Sequence, residues 1–222
     1  MEKKTIQLDQ KLNFFHELLL QTVQRVEESI IKAAIAVRDH DKELANKVIA
    51  EDYFINQLRD MVENDAVRLL ISESPYGHYM RHIIAGIKMV TALERMGDYA
   101  SHLARLATHE TNNNKFDEII INNLVEMAMA DAAMFRGAID ALIKENAEDA
   151  IEVAKKDNEI DNFRLKINDI ILNSGPFDSI EQRKKMFEYY YITKELERMG
   201  DLITTICKWI IYIVNGDKPR LN

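Results

Sequence analysis

From Ile6 to Val37, apolar residues recur at steps of three and four, through Leu12, Phe15, Leu19, Val23, Val26, Ile30, Ala33 and Val37. That period gathers them on one face and predicts a long amphipathic helix. The charged run from Arg38 to Lys42 interrupts the pattern, and Asp41 is placed to cap the next helix. A second run continues through Val48, Ile49, Ile55, Leu58, Val62, Ala66 and Leu69. SESPYG at 72–77 ends it, because Pro75 disfavours helical geometry in the residue before it. A third helix is predicted over 79–108.

The polar stretch THETNNNK at 108–115 reads as a linker, and after it the plan repeats. Helices are predicted over 116–143, 147–172 and 180–214, with a break at SGPFDS around Pro176 and Asp178 or Ser179 as the cap of the last. At an offset of 103 to 105 residues, Ala33, Ala36 and Ala45 meet Ala138, Ala141 and Ala150, and Pro75 and Pro176 occupy equivalent breaks. The expected fold is all-α: two similar three-helix bundles in tandem, residues 1–110 and 111–222, six helices in total. Gly216 and Pro219 stop the last helix and leave an exposed tail.

Composition agrees: three Pro and seven Gly among 222 residues leave little to break helices. A net charge of −8 argues against a nucleic-acid binder, which needs a basic face. Cys207 stands alone, so no intramolecular disulfide forms, and the reducing cytoplasm is the expected compartment. The opening MEKKTIQLDQ lacks the apolar run of a signal peptide. The apolar segment 202–214 is interrupted by Lys208 and falls short of the roughly 20 residues that span a bilayer, so it reads as a buried helix end.

The candidate chemistry lies in a hexapeptide. LERMGD occurs at Leu93–Asp98 and again at Leu196–Asp201. On a helix Glu94 and Asp98 share a face, as do Glu197 and Asp201. The Gly between them costs roughly 1 kcal/mol against Ala, so its repetition predicts close approach to the backbone. Glu94 interrupts an otherwise apolar or small stripe of Ile83, Ile87, Val90, Gly97, Ser101 and Ala104. The preceding helices offer Asp157 and Asp161, which align at offset 105 with Asp52 and Asn56. Each half thus converges two helices on one acidic locus, with Asn56 weakening the first.

The residues support two readings. Clustered, partly buried carboxylates need a cation, and an oxygen-only donor set suits Mg, Ca, Mn or Fe. Alternatively Arg59 and Arg164, aligned one turn beyond Asn56 and Asp161, neutralise each locus, with Arg95 and Arg198 as further candidates. His78 and His82, one turn apart near a helix start, could ligate a metal but read as surface or capping residues; Met127, Met129 and Met134 read as core, Tyr189, Tyr190 and Tyr191 as packing with one solvated ring, and Trp209 as core or interface. The Glu-x-x-His di-iron pattern, P-loop, dinucleotide fingerprint, nucleophile elbow and Cys-x-x-Cys are absent.

IAGIKMVTALERMGDYASHLA, its second copy ITKELERMGDLITTICKWIIYIVNGD, and the segments Asp52–Asn56 and Asp157–Asp161 resemble the PhoU family over the whole chain. The resemblance implies a cytoplasmic regulator and not an enzyme. Such a protein represses phosphate uptake and the phosphate-starvation response. It does so by contact with the ATPase subunit of the phosphate ABC transporter and with a membrane sensor histidine kinase. A homodimer is implied, as are metal clusters, of iron or of Mn, Zn or Mg, at Glu/Asp-x-x-x-Asp motifs. These motifs fall on Asp52, Glu94, Asp98, Asp157, Asp161, Glu197 and Asp201, and Asn56 departs from them. The competing classes are a carboxylate-bridged metal enzyme, hydrolase or oxidase, and a metal-free helical scaffold.

Overall fold

In a computed structural model, residues 2–109, 115–175, 177, 179–217 and 219 are described, without the side chains of residues 2–7, 115 and 116. The first half is three helices, α1 (Glu2–Asp39), α2 (Lys42–Glu73) and α3 (His78–Arg105), closed by a 3₁₀ turn (Leu106–Thr108). The second is α4 (Lys115–Ile143), α5 (Ala147–Ala154), α6 (Asp157–Asn173) and α7 (Ile180–Asn215). Among the described residues there is no strand. The predicted boundary at 110/111, Pro176 and Asp178 lie outside the described residues.

The apolar periodicity becomes the core. Leu12, Phe15, Leu19, Val23, Val26, Ile30, Ala33 and Val37 are all buried, as are Val48, Ile55, Leu58, Val62, Ala66 and Leu69 on α2. The Asp41 side chain accepts the Leu44 N–H at 2.9 Å and caps α2. Ser74 ends that helix in the left-handed region at φ 46, as a residue before proline excluded from helical geometry would. Ser179 and Gln182 form a reciprocal capping box on α7, and Gly216 closes it at φ 82 with its N–H on Tyr212 O at 2.9 Å.

The middle helix of the second half is one predicted helix in two segments. Around Lys155 and Lys156 the hydrogen bonds tighten to i→i+3: Lys156 N–H reaches Val153 O at 3.0 Å, and Glu159 N–H reaches Lys156 O at 2.9 Å. Asn158 Nδ2 donates to Lys155 O at 2.9 Å and so competes for a carbonyl of the helical ladder. The break makes Asp157 the first residue of α6, whereas its counterpart Asp52 sits inside the continuous α2.

The halves pack with α1 on α4 and α3 on α7. Across this interface His102 Nδ1 meets Glu195 Oε1 at 2.7 Å, Arg136 Nη2 meets Glu27 Oε1 at 2.5 Å, and Arg81 Nε donates to Ile213 O at 2.9 Å. Some single-residue expectations fail. Met129 is exposed although Met127 and Met134 are core, and both Tyr190 and Tyr191 are solvated around a buried Tyr189. Trp209 is half-buried against the core, with its ring edge-on to Tyr212. Among the described residues no helix is long and apolar enough to cross a membrane.

Candidate metal centre

Each half brings its predicted carboxylates together where the LERMGD helix meets the preceding one. In the first half, Asp52 lies against Asp98 and within the field of Glu94. Its acid strength falls, with the pKa pushed up to about 6, first by burial, then by the Asp98 charge and a hydrogen bond to Asp98. Asn56 does not extend the locus. Its Nδ2 turns back to donate to Asp52 O at 3.0 Å and Asp52 Oδ2 at 3.2 Å.

The second half repeats the arrangement with one carboxylate more. Asp157 is pushed up to about 6 by burial and then by Asp201, Asp161 and Glu197, with Lys208 opposing. Asp201 is raised by burial, Glu197 and Asp161. The repeated glycines serve this approach. A Cβ at Gly200 would overlap Asp157 Oδ1, and one at Gly97 would stand 3.0 and 3.3 Å from methyl groups of Ile55.

The arginines take part of the charge. Arg59 Nη1 holds Glu94 Oε1 at 2.8 Å. Arg164 Nε stands 3.4 Å from Glu197 and 3.6 Å from Asp161, and Lys194 Nζ pairs with Glu197 Oε2 at 2.6 Å. Arg95 and Arg198 are exposed. So the glutamates are neutralised, whereas Asp52, Asp98, Asp157 and Asp201 have no ion pair among the described residues.

Sequence reasoning missed Asp131 on α4. It is fully buried, neither carboxylate oxygen meets a hydrogen-bond partner among the described residues, and burial followed by the Asp157 charge pushes its pKa well up. The signal was present: Asp131 interrupts the apolar stripe of Met127, Phe135 and Ala138 just as Glu94 interrupts its own. As donors these oxygens fit a hard or borderline cation, which would relieve both the mutual repulsion and the orphaned Asp131. The only three-ligand cluster with all its atoms within 4.8 Å among the described residues lies elsewhere, so a cation here requires the Asp and Glu side chains to rotate inward. A cavity of about 600 Å³, lined by Val37, His109, Lys184 and Tyr189 among others, shares no residue with either locus.

Two three-helix bundles, each carrying the same carboxylate locus at the same helix crossing, define a tandem-repeat helical-bundle protein. The chain belongs to the PhoU family: the family model described as PhoU domain matches residues 19–107 and 124–210. It is 29% identical over 223 residues to the phosphate-specific transport system accessory protein PhoU homolog of Clostridium acetobutylicum, covering 100% of both chains. The homolog of Streptococcus pneumoniae serotype 4 is 29% identical over 97% of this chain and 99% of its own. The crystal structure of the phosphate transport system regulatory protein PhoU from Streptococcus pneumoniae superposes with a TM-score of 0.86 at 28% identity, over 96% of this chain and 100% of that one. PhoU from Pseudomonas aeruginosa gives 0.83 at 26%, over 94% and 99%. These relatives are named accessory and regulatory proteins.

Proposed function

We propose that this chain is a cytoplasmic negative regulator of phosphate uptake and of the phosphate-starvation response. It acts as a homodimer, by contact with the ATPase subunit of a phosphate ABC transporter and with its sensor histidine kinase. The observation that carries this reading is the full-length match to proteins named as accessory to phosphate-specific transport. A regulator of this kind works through differential affinity for one state of its partner. Docking area is available: the outward residues Tyr53, Val67 and Ile71 of α2, and Leu165 and Leu172 of α6, are exposed apolar side chains. Deleting the gene is expected to raise uptake and starvation-gene expression in phosphate-replete cells, and unchanged values in both would overturn the proposal.

The carboxylates Asp52, Glu94, Asp98, Asp157, Asp161, Glu197 and Asp201 serve in this reading as ligands for iron or another metal such as Mn, Zn or Mg. The unpaired aspartates and the orphaned Asp131 support it. Elemental analysis of protein purified without chelator is expected to find iron or manganese that the double variant Glu197→Ala, Asp201→Ala loses while still folded. Gly200→Ala, whose methyl group displaces Asp157, lowers the content further than Gly97→Ala does. No metal in parent or variants would reduce the loci to ion-paired helix contacts.

A further inference from the structure

Three histidines and a glutamate meet where the two bundles touch, about three helical turns before the first LERMGD copy on α3. His78 and His82 lie one turn apart at the start of α3 and present their imidazoles on one face. His82 Nε2 is 2.9 Å from His78 Nε2. Glu145, from the α4–α5 connection of the second bundle, brings Oε1 to 3.3 Å from His82 Nε2 and Oε2 to 3.6 Å from His78 Nε2. His82 is buried, and its other ring nitrogen, Nδ1, lies 3.1 Å from Nε2 of His16 on α1.

These separations are those of ligands around one ion. Two donors on a tetrahedral zinc at roughly 2.0–2.1 Å lie about 3.3 Å apart. The two imidazole nitrogens stand 2.9 Å apart and the Glu145 oxygens lie 3.3 and 3.6 Å from one nitrogen each, so a cation needs the imidazoles to part slightly and one carboxylate oxygen to turn toward both. Among the described residues this is the one group of three His, Cys, Asp or Glu side chains whose ligand atoms all lie within 4.8 Å.

The surroundings prepare the ligands. For His82 to offer the Nε2 lone pair, its proton must sit on Nδ1, and His16 Nε2 is there to accept it. That is the outer-shell bond that commonly fixes a ligating imidazole. Glu145 is held in the left-handed region at φ 47, just ahead of Asn146, whose side chain accepts the Glu148 and Asp149 N–H groups. A cavity of about 220 Å³ lined by His16, His82, Glu145, Leu19, Met89 and Ile213 leaves room for water as a fourth ligand.

We infer that His78, His82 and Glu145 form a binding site for a borderline divalent transition metal, zinc in the first instance, that fastens α3 of the first bundle to the α4–α5 connection of the second. Two imidazoles and a carboxylate disfavour Mg and Ca, which take oxygen ligands, and suit Zn, Ni, Cu or Co. The metal would fix the pose of one bundle on the other and is independent of the carboxylate loci.

Zinc titrated into the chelator-treated full-length chain tests this, with X-ray absorption reporting the ligand type. The expected result is one equivalent of zinc with imidazole scattering, kept by the double variant Asp157→Asn, Asp201→Asn. Because His78 and Glu145 are exposed, His78→Ala and Glu145→Gln are expected to fold. Each should weaken that equivalent at least tenfold. Zinc ligated by oxygen alone, or imidazole-bound zinc held equally tightly by His78→Ala, would overturn the inference.

Discussion

Stripped of metal, Asp157→Asn is expected to outlast the wild-type protein by a growing margin as the pH rises from about 4 to about 6, and to fall behind it once manganese or iron(II) is supplied. The sign comes from the direction of the shift. Asp157 is raised from an ordinary value near 3.8 to about 6 in the folded protein, chiefly by burial. Below about 3.8 it is protonated in both states and costs nothing. Between there and about 6 the unfolded chain releases a proton that the folded one retains, so folding loses stability as pH rises. Asparagine does not titrate and escapes the penalty. The buried His82 and the half-buried His16, both lowered, pull the other way over the same range, so the difference between wild type and variant, not the wild-type curve alone, isolates Asp157.

A cation bound as proposed would reverse the comparison. It would bind the ionised carboxylates of the native state, and at 100 to 1,000 times its dissociation constant would add roughly 2.7–4.1 kcal/mol. Asp157→Asn would have lost a ligand and would gain less. Urea melts at pH 4, 5 and 6, with chelator and with cation, measure all of this. A margin that stays flat with pH in chelator would mean that Asp157 titrates normally and the locus is not strained. A wild type that gains nothing from any cation would remove the metal from the second bundle.

The helices and the duplicated locus were legible because both are written at short range. Period-3.6 apolar spacing marks the faces that bury Phe15, Val26 and Ile30, and the exact repeat of LERMGD marks the crossing at which Asp157 meets Gly200. The split of the second middle helix was not legible. No proline or glycine stands there, and the break is marked only by i→i+3 bonding and by Asn158 Nδ2 on the Lys155 carbonyl. Asp131 carried the same signal as Glu94 but without a repeated motif to draw notice. The histidine cluster was hidden for a different reason: His16 lies 66 residues from His82, and Glu145 comes from the other bundle, so only the packing of two helices and a turn assembles them. Spacing alone left His78 and His82 as surface or capping residues that could also ligate a metal; His78 is exposed, and the burial of His82 corrects the surface reading for that residue.

Phe15→Ala is expected to be among the costliest single changes in the chain, at about 3–5 kcal/mol, because it empties a fully buried ring from the α1–α3 contact. For a chain of this size that corresponds to a fall in Tm of roughly 6–20 °C. Its partner is Gly86 on α3, where an added Cβ would lie 2.5 and 2.6 Å from Phe15 Cζ and Cε1. Gly86→Ala therefore overpacks the contact, at about 1–3 kcal/mol, and that cost outweighs the roughly 1 kcal/mol that alanine returns in helix propensity. The double variant decides whether the ring is the obstacle. With Phe15 gone the methyl group added by Gly86→Ala has space, its propensity gain stands alone, and the pair is expected to be no less stable than Phe15→Ala by itself. Denaturant melts of the four proteins give the coupling directly. If the two costs simply add, the helix spacing is set elsewhere and Phe15 is ordinary core. If they couple, the ring against Gly86 sets how closely α1 approaches α3. Because His16 follows Phe15 on α1, the same contact then sets how His16 reaches His82.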